Sequence, residues 1–387
     1  MSLFFVVIFD PSDSLTGLKK PIFLVLIFWW ILLCTNSKRP REISLIATSV
    51  AIAFGALLPL LSVLSFFLQG SSSIEYQGFV VIQGYLSLSL LILINSIDVK
   101  ALHLFVKATT VLAFVTVGLY LFLNLHLEFV EPVTLFGYAF GFLWINPKDY
   151  GGFQFTQIFF KTAPFLAIPV AYFSQKYFEW HSDNKSLTFI LLGISSLAMF
   201  ISGTRANMLF AVLIPTYFFI RSLNRSTQFT KIFAMLVLGT TFGVILANFD
   251  IIISMLDPNE FSNSVKLGYW DDYIKIFSDP ITMLFGQGIG ASHYFESLGV
   301  ELLITEVTLL ELLRNFGLFI ALAYLGFWIA PLILISYKRP NQLRWLWVAY
   351  GAYLVISMSN YFLMSSTGMV FLSIVYNECL KRRSVSV

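Results

Sequence analysis

Residues 43–69 read ISLIATSVAIAFGALLPLLSVLSFFLQ, a run of 27 positions without one charged side chain. A helix crosses the hydrocarbon core of a bilayer with about 20 apolar residues, so this run is long enough to span it with some tilt. Similar stretches lie at 21–35, 78–97, 108–127, 162–178, 187–201, 206–220, 232–249, 312–336, 345–364 and 368–380. The whole chain follows suit: of 387 residues 58% are hydrophobic and only 12% charged, and the mean hydropathy is +0.81. Such a composition excludes a water-soluble globule. It predicts an all-α integral-membrane protein of about 11 or 12 transmembrane helices. The twelfth segment, Met1–Phe9, is too short to cross unless it tilts, the bilayer thins or further residues precede it.

Counting crossings assigns alternate connections to opposite sides, and the basic residues test the assignment. Sixteen of the 24 lysines and arginines fall on one side, among them Lys38, Arg39, Arg41, Lys100, Arg221, Arg344 and Lys381. By the positive-inside rule that side is the cytoplasm, and both termini face it if the first short segment crosses. The chain therefore divides into N-terminal membrane helices over 1–249, one large exterior loop over 250–306, and C-terminal membrane helices over 307–387. A connection of that length between closely spaced helices is functional or disordered. Its content of Tyr269, Trp270, Tyr273, Ile274, Ile276 and Phe277 favours a folded cap with short amphipathic helices. A second exterior segment, Glu128–Phe160, is rich in aromatic residues and glycine and reads as lying along the membrane interface.

Several chemistries have no motif. The two cysteines, Cys34 and Cys379, are far apart, and the four histidines share no CxxC or HExxH setting, so neither a disulfide framework nor a metal site is expected. No glycine-rich nucleotide loop occurs, and Asp271-Asp272 lacks the spacing of a metal-dependent sugar-nucleotide site. No cofactor and no nucleic-acid partner is expected.

Two arginines are not explained by sidedness. Arg205, in Ser202-Gly203-Thr204-Arg205-Ala206-Asn207, lies between two uncharged segments; Arg314 lies about a turn into the helix that follows the large loop. A charge at such a depth is costly unless paired or facing a wet cavity, which makes each a site candidate. Guanidinium is also suited to bidentate phosphate binding. Glu311 precedes Arg314 by three residues and can pair with it on one helix face, so a structural ion pair and a substrate contact are both open there. Glu306 sits at the loop-to-helix boundary. With Thr305 as N-cap it suits the helix dipole, and at the edge of a half-buried cavity it suits a general base. His293 is the other candidate base. The run Gly286-Gln287-Gly288-Ile289-Gly290 reads as shaping a turn between the cap's helices.

Three stretches together resemble a known family. They are SGTRANMLFAVLIP (202–215), YWDDYIKIFSDPITMLFGQGIGAS (269–292) and TEVTLLELLRNFGLFIALAYLGF (305–327), within a similarity over about 186–336. They resemble the Wzy-type O-antigen and capsule polymerases, which form with the O-antigen ligases a superfamily of GT-C-like integral-membrane glycosyltransferases. The resemblance implies a donor oligosaccharide on undecaprenyl pyrophosphate, presented at the outer face of a bacterial cytoplasmic membrane, with a flippase and a chain-length regulator as partners. It implies Arg205 and Arg314 as cations beside the leaving pyrophosphate and Glu306, or else His293, as base. Lys266, Tyr269, Trp270 and Glu311 join them in binding substrate. Lys266 stands where such families often have arginine, and Thr305-Glu306 stands where ligases carry a histidine, which favours polymerase over ligase. A lipid flippase or transporter is the non-enzyme alternative, although the two halves show no repeat. The enzyme reading expects Arg205 and Arg314 to open into one wet pocket beneath the cap.

Overall fold

The computed structural model describes residues 2–35, 44–68, 76–97, 100–150, 153–180, 184–223, 261–338, 341–358, 360 and 362–381; the apolar stretch 232–249 and the start of the large loop lie outside them. The chain is predominantly helical. The short α1 (Ser2–Phe9) precedes α2 (Lys19–Thr35). Next, α3 (Leu45–Ile52) runs through a π-helical turn at Ala53–Leu57 into α4 (Leu58–Leu68). In the same way α5 (Tyr76–Leu86) runs through a 3-10 turn at Ser87–Ser89 into α6 (Leu90–Ile97). The long α7 (Ala101–Leu125) and α8 (Val130–Phe140) lead to a hairpin of β1 (Leu143–Tyr150) and β2 (Phe153–Phe160). Three helices follow: α9 (Ala167–Phe178), α10 (Lys185–Ile201) and α11 (Arg205–Leu223). The cap comprises α12 (Phe261–Ile276), α13 (Pro280–Phe285) and a hairpin of β3 (His293–Phe295) and β4 (Val300–Leu302). The chain closes with α14 (Thr308–Lys338), α15 (Arg344–Met358) and α16 (Ser366–Leu380).

Two expectations need correction. Among the described residues four helical spans, not 11 or 12, are long and apolar enough to cross a membrane: Leu45–Phe67, Ala101–Leu125, Arg205–Leu223 and Thr308–Tyr337. α2 and α10, with 17 residues each, reach only about 25 Å. Hydropathy cannot separate a full span from a shorter helix extended by an apolar turn. α1, with eight residues, is about 12 Å long and does not cross alone; it packs on α7 instead, Phe4 meeting Phe105 edge-on at 5.7 Å. The second is local, within a predominantly helical fold. Glu128–Phe160, expected along the interface, contains α8 and an antiparallel hairpin in which Leu143 faces Phe160 and Tyr150 faces Phe153. Leu143, Ile145, Ile158 and Phe160 are buried at the base of this hairpin.

Helices in lipid associate through close packing and interhelical hydrogen bonds rather than through hydrophobic exclusion. The π turn shows both. It carries Gly55, where an added Cβ would lie 3.2 Å from both Leu88 and the Tyr85 carbonyl, so two backbones approach closely. The Phe54 carbonyl, loosened from the regular helical ladder, accepts from Tyr324 Oη at 2.8 Å, and the Phe54 ring stacks on Phe327 at 4.3 Å. At the centre an aromatic cluster joins α7, the turn before α9, α15 and α16: Phe165 lies 5.1 Å from Phe105, 5.5 Å from Tyr353 and 5.2 Å from Phe371.

Gly317 breaks α14. Its φ of 71° and ψ of 174° belong to a region open essentially to glycine alone. A Cβ there would overlap the Leu284 carbonyl at the end of α13, and a Cβ on Gly286 would come 2.5 Å from Gly317 N. The glycine-rich run is thus more than a turn between cap helices, because it lays the cap's backbone directly on the bundle. Gly288 repeats the contact against Ser62 and Phe66 of α4, and Ile289 N donates to Ser62 Oγ at 2.9 Å. Gly317→Ala is expected to lower stability by about 3 kcal/mol, from strain and overlap together. Gly326→Ala in the same helix, where a Cβ meets nothing within 4 Å, should leave it unchanged or raised. Thermal unfolding of both purified variants decides the matter.

Candidate functional site

The cap meets the bundle around one buried ion pair. Glu311 and Arg314 on the first turns of α14 are both 0% exposed, and Arg314 Nη2 lies 2.5 Å from Glu311 Oε1. Arg314 has five N–H groups and each finds an acceptor. Nε donates to Glu311 Oε2 (3.3 Å), and Nη1 to the Ala291 carbonyl (2.6 Å) and Gln287 Oε1 (3.4 Å). Nη2 donates to the Leu303 carbonyl (2.6 Å) and to Glu311 Oε1. The carboxylate is equally engaged: Tyr273 Oη donates to it at 2.6 Å, Asn315 Nδ2 at 3.0 Å and Thr305 Oγ1 at 3.3 Å. Of the two roles open to Arg314, the ion pair is present, and a phosphate contact would require breaking one of these bonds.

Thr305 is not an N-cap. Its hydroxyl belongs to the Tyr273–Glu311 network, and α14 begins three residues later, where Thr308 Oγ1 donates to the Ser357 and Asn360 carbonyls at 2.9 and 2.7 Å. Glu306 is exposed rather than at the edge of a half-buried cavity. It stands beside Tyr269, whose pKa is pushed up by burial and then by the charges of Glu306 and Glu311. Tyr269 itself is 6% exposed and packs edge-on against Phe295 at 5.4 Å inside the cap's small core, so its ring is not available as a sugar platform. Trp270, one position on, is 51% exposed, and Lys266 a turn earlier is half-buried. His293 opens β3 with its ring edge-on to Phe295 at 5.3 Å. Burial, and then the Arg314 charge, hold its pKa below the ordinary value.

Arg205 is the first residue of α11, and the turn before it is built closely. Gly203, with φ of 69°, leaves no room for a Cβ against Gln157 of β2, whose Nε2 donates to the Ser202 carbonyl at 2.8 Å. Thr204 Oγ1 caps α11 by accepting from Asn207 N at 3.2 Å. Arg205 Nη1 donates to Asn263 Oδ1 on α12 at 2.6 Å. The two arginines do not share one pocket. Asn263 holds Arg205 and Tyr273 holds the Glu311–Arg314 pair, and these lie ten residues apart on α12, about 15 Å along its axis.

Two cations that sequence reading used only as topology markers gather at this end. Lys19 Nζ donates to the Pro11 carbonyl and, at 3.2 Å, to Ser366 Oγ; Lys161 Nζ donates to Ser12 Oγ at 3.3 Å. Asp10, beneath them, turns its carboxylate to its own loop, accepting from the backbone of Ser14, Leu15 and Thr16 at 3.0, 3.2 and 2.7 Å. α16 has 15 residues, so Ser366 stands only about 22 Å above Lys381 at the other end, short of the ~30 Å hydrocarbon core. Lys161 is exposed in area, and partial desolvation by its surroundings lowers its pKa. No signal in the sequence joins residues 142 positions apart.

No family model matches the chain, and no curated protein or solved structure is similar to it.

Removing one member of the buried pair strands the other, so Glu311→Gln or Arg314→Leu should each lower stability by about 3–5 kcal/mol, and Glu311→Met with Arg314→Leu by less than their sum. A charge swap should not rescue, because a carboxylate at 314 cannot donate to the Ala291 and Leu303 carbonyls; thermal melts of the four variants test this. His293 gives a second expectation. The unfolded chain takes up the proton first as the pH falls through about 6.5, so the folded cap loses stability from there downward. Melting temperatures at pH 7.5, 6.5 and 5.5 should fall less in His293→Gln than in the parent.

Proposed function

We propose that the chain is a metal-independent glycosyltransferase that polymerises a surface polysaccharide at the outer face of a bacterial cytoplasmic membrane. It takes oligosaccharide repeat units from undecaprenyl pyrophosphate. The observation that carries this reading is the set of cations at the cap end. Arg205, Lys161 and Lys19 come from three separate elements, and the β1–β2 hairpin connects them. Four apolar helices supply the membrane setting, and the outer face offers no nucleotide donor, in keeping with the missing nucleotide motifs.

The acceptor hydroxyl attacks the anomeric carbon. A C–O bond forms, the bond to the pyrophosphate oxygen breaks, and its electron pair leaves with the lipid pyrophosphate. Charge grows on that leaving group, and fixed cations beside it lower the barrier. Arg205 is the bidentate candidate, and the two lysines add point charge. The hydroxyl's proton goes to Glu306, which is exposed at the cap, and half-exposed Trp270 on α12 offers a face on which a sugar ring can stack. His293, held neutral by its surroundings, is the second acceptor for that proton. Arg314 serves this chemistry indirectly, by fixing the cap. Inversion follows from direct displacement.

Arg205→Lys should lower polymer formation about 100-fold, the scale set by losing one preorganised donor, with normal membrane expression. Glu306→Gln should leave single repeat units, and full-length polymer from that variant would transfer the base role away from it. Deleting the protein and running the surface glycan on a gel tests the whole reading. One-repeat product supports a polymerase; lost transfer to the final acceptor replaces it with a ligase, and lipid-linked units trapped in the cytoplasm replace it with a flippase.

A further inference from the structure

The opposite end of the bundle, which the basic-residue count assigns to the cytoplasm, holds a cavity of about 360 Å³ where the start of α7, the end of α9, the start of α15 and the end of α16 meet. Its inner wall is apolar and aromatic: Leu102, Val106, and Trp345, whose ring meets Tyr172 edge-on at 5.2 Å. That wall is braced from behind. Trp345 N donates to Gln175 Oε1 at 2.8 Å, Gln175 Nε2 donates to Glu179 Oε2 at 2.9 Å, and Glu179 pairs with Arg344 at 2.9 Å and Arg221 at 3.0 Å. The recess is therefore preformed.

Charge at its mouth is one-sided. Buried Glu378 is matched by Lys381 three residues on, so that pair cancels itself. Lys100 and His103 are exposed beside it, with Lys107 one turn further along α7. Among the described residues no acid pairs with any of these three. From this cluster an exposed stripe continues along α7 at the helical period, through Val111 and Phe114 to Phe122. In a helix long enough to cross a membrane, such a stripe faces acyl chains.

We infer that this recess seats an anionic phospholipid, its phosphodiester between Lys100 and His103 and one acyl chain along the Val111–Phe114 face of α7. A cation cluster continuous with an apolar, lipid-facing track fits an amphiphile, whereas a free phosphate would use the cations and leave the track idle. Basic recesses between membrane helices at the cytoplasmic face are where anionic headgroups bind. The site lies at the far end of the bundle from the proposed sugar transfer and does not depend on it.

Delipidated full-length protein in detergent, titrated with phosphatidylglycerol or phosphatidylcholine and followed by native mass spectrometry, tests the site. Phosphatidylglycerol should be retained one per chain and phosphatidylcholine lost. Each lysine removed should weaken retention about fivefold, so Lys100→Gln gives about fivefold and Lys100→Gln with Lys107→Gln about 25-fold. Both positions are exposed, and the single variant serves if the double one purifies poorly. Equal retention of the two lipids, or unchanged phosphatidylglycerol retention in the single variant, overturns the site. Displacement by a large excess of inorganic phosphate overturns the lipid assignment in favour of a free-phosphate site.

Discussion

A guanidinium with no exposed surface dictates how the cap sits. Arg314 must find five acceptors within reach of one rigid fork, and α14 itself offers only the Glu311 carboxylate. The remaining three are Gln287, the Ala291 carbonyl and the Leu303 carbonyl, all from the large loop. Glu311 in turn needs donors, and it takes them from Tyr273 and Thr305. Satisfying one pair of charges thus recruits α12, the segment after α13 and the segment after β4. Leaving any of those partners out strands a desolvated polar group, which costs more than an ordinary hydrogen bond returns. The glycines are the steric counterpart: acceptors can reach Arg314 only because Gly286 and Gly317 let two backbones touch without side chains between them.

The two exterior arginines differ through their neighbours rather than their chemistry. Arg314 carries an acid three residues before it and is drawn inward; Arg205 opens a helix and has no acid within a turn in the sequence. Helix N-termini carry partial positive charge from unpaired N–H groups, so a guanidinium there adds to the potential instead of offsetting it. The start of α11 is therefore an electropositive point tied to a hairpin on one side and to the cap on the other. Such a point favours an anion that can reach it, and its contact with α12 lets occupancy of the site be felt by the cap.

Much of this was legible in the sequence, for definite reasons. Uncharged runs gave the apolar helices, the spacing of Glu311 and Arg314 gave their pairing, and loop composition gave a folded cap. What failed were distinctions that need a third dimension. Tyr269 and Trp270 are adjacent aromatic residues, yet one is core and the other surface, because α12 turns one face to the β3–β4 hairpin. Within Glu128–Phe160, which reads as lying along the membrane interface, the β alternation of Leu143–Phe160 is blurred by rings on both faces. Lys19 and Lys161 carried no local signal at all, because their proximity is created by α1 and the hairpin meeting at Thr162, whose hydroxyl donates to the Ile8 carbonyl at 2.7 Å.

The thinness of the bundle near those lysines has its own consequence. Lys19 contacts Pro11 in the loop between α1 and α2 and Ser366 at the start of α16, and α16 is about 22 Å long where α7 is about 37 Å. Irregular backbone at membrane depth survives only where protein buries it or water reaches it. Part of the requirement is met internally: Asp10 collects three backbone N–H groups, and Ser12 and Ser14 donate to the carbonyls of Gly141 and Phe140. Ser12, Ser14 and Lys161 are nevertheless exposed, so the polar groups of this loop that the protein does not satisfy are left to water or to a polar partner.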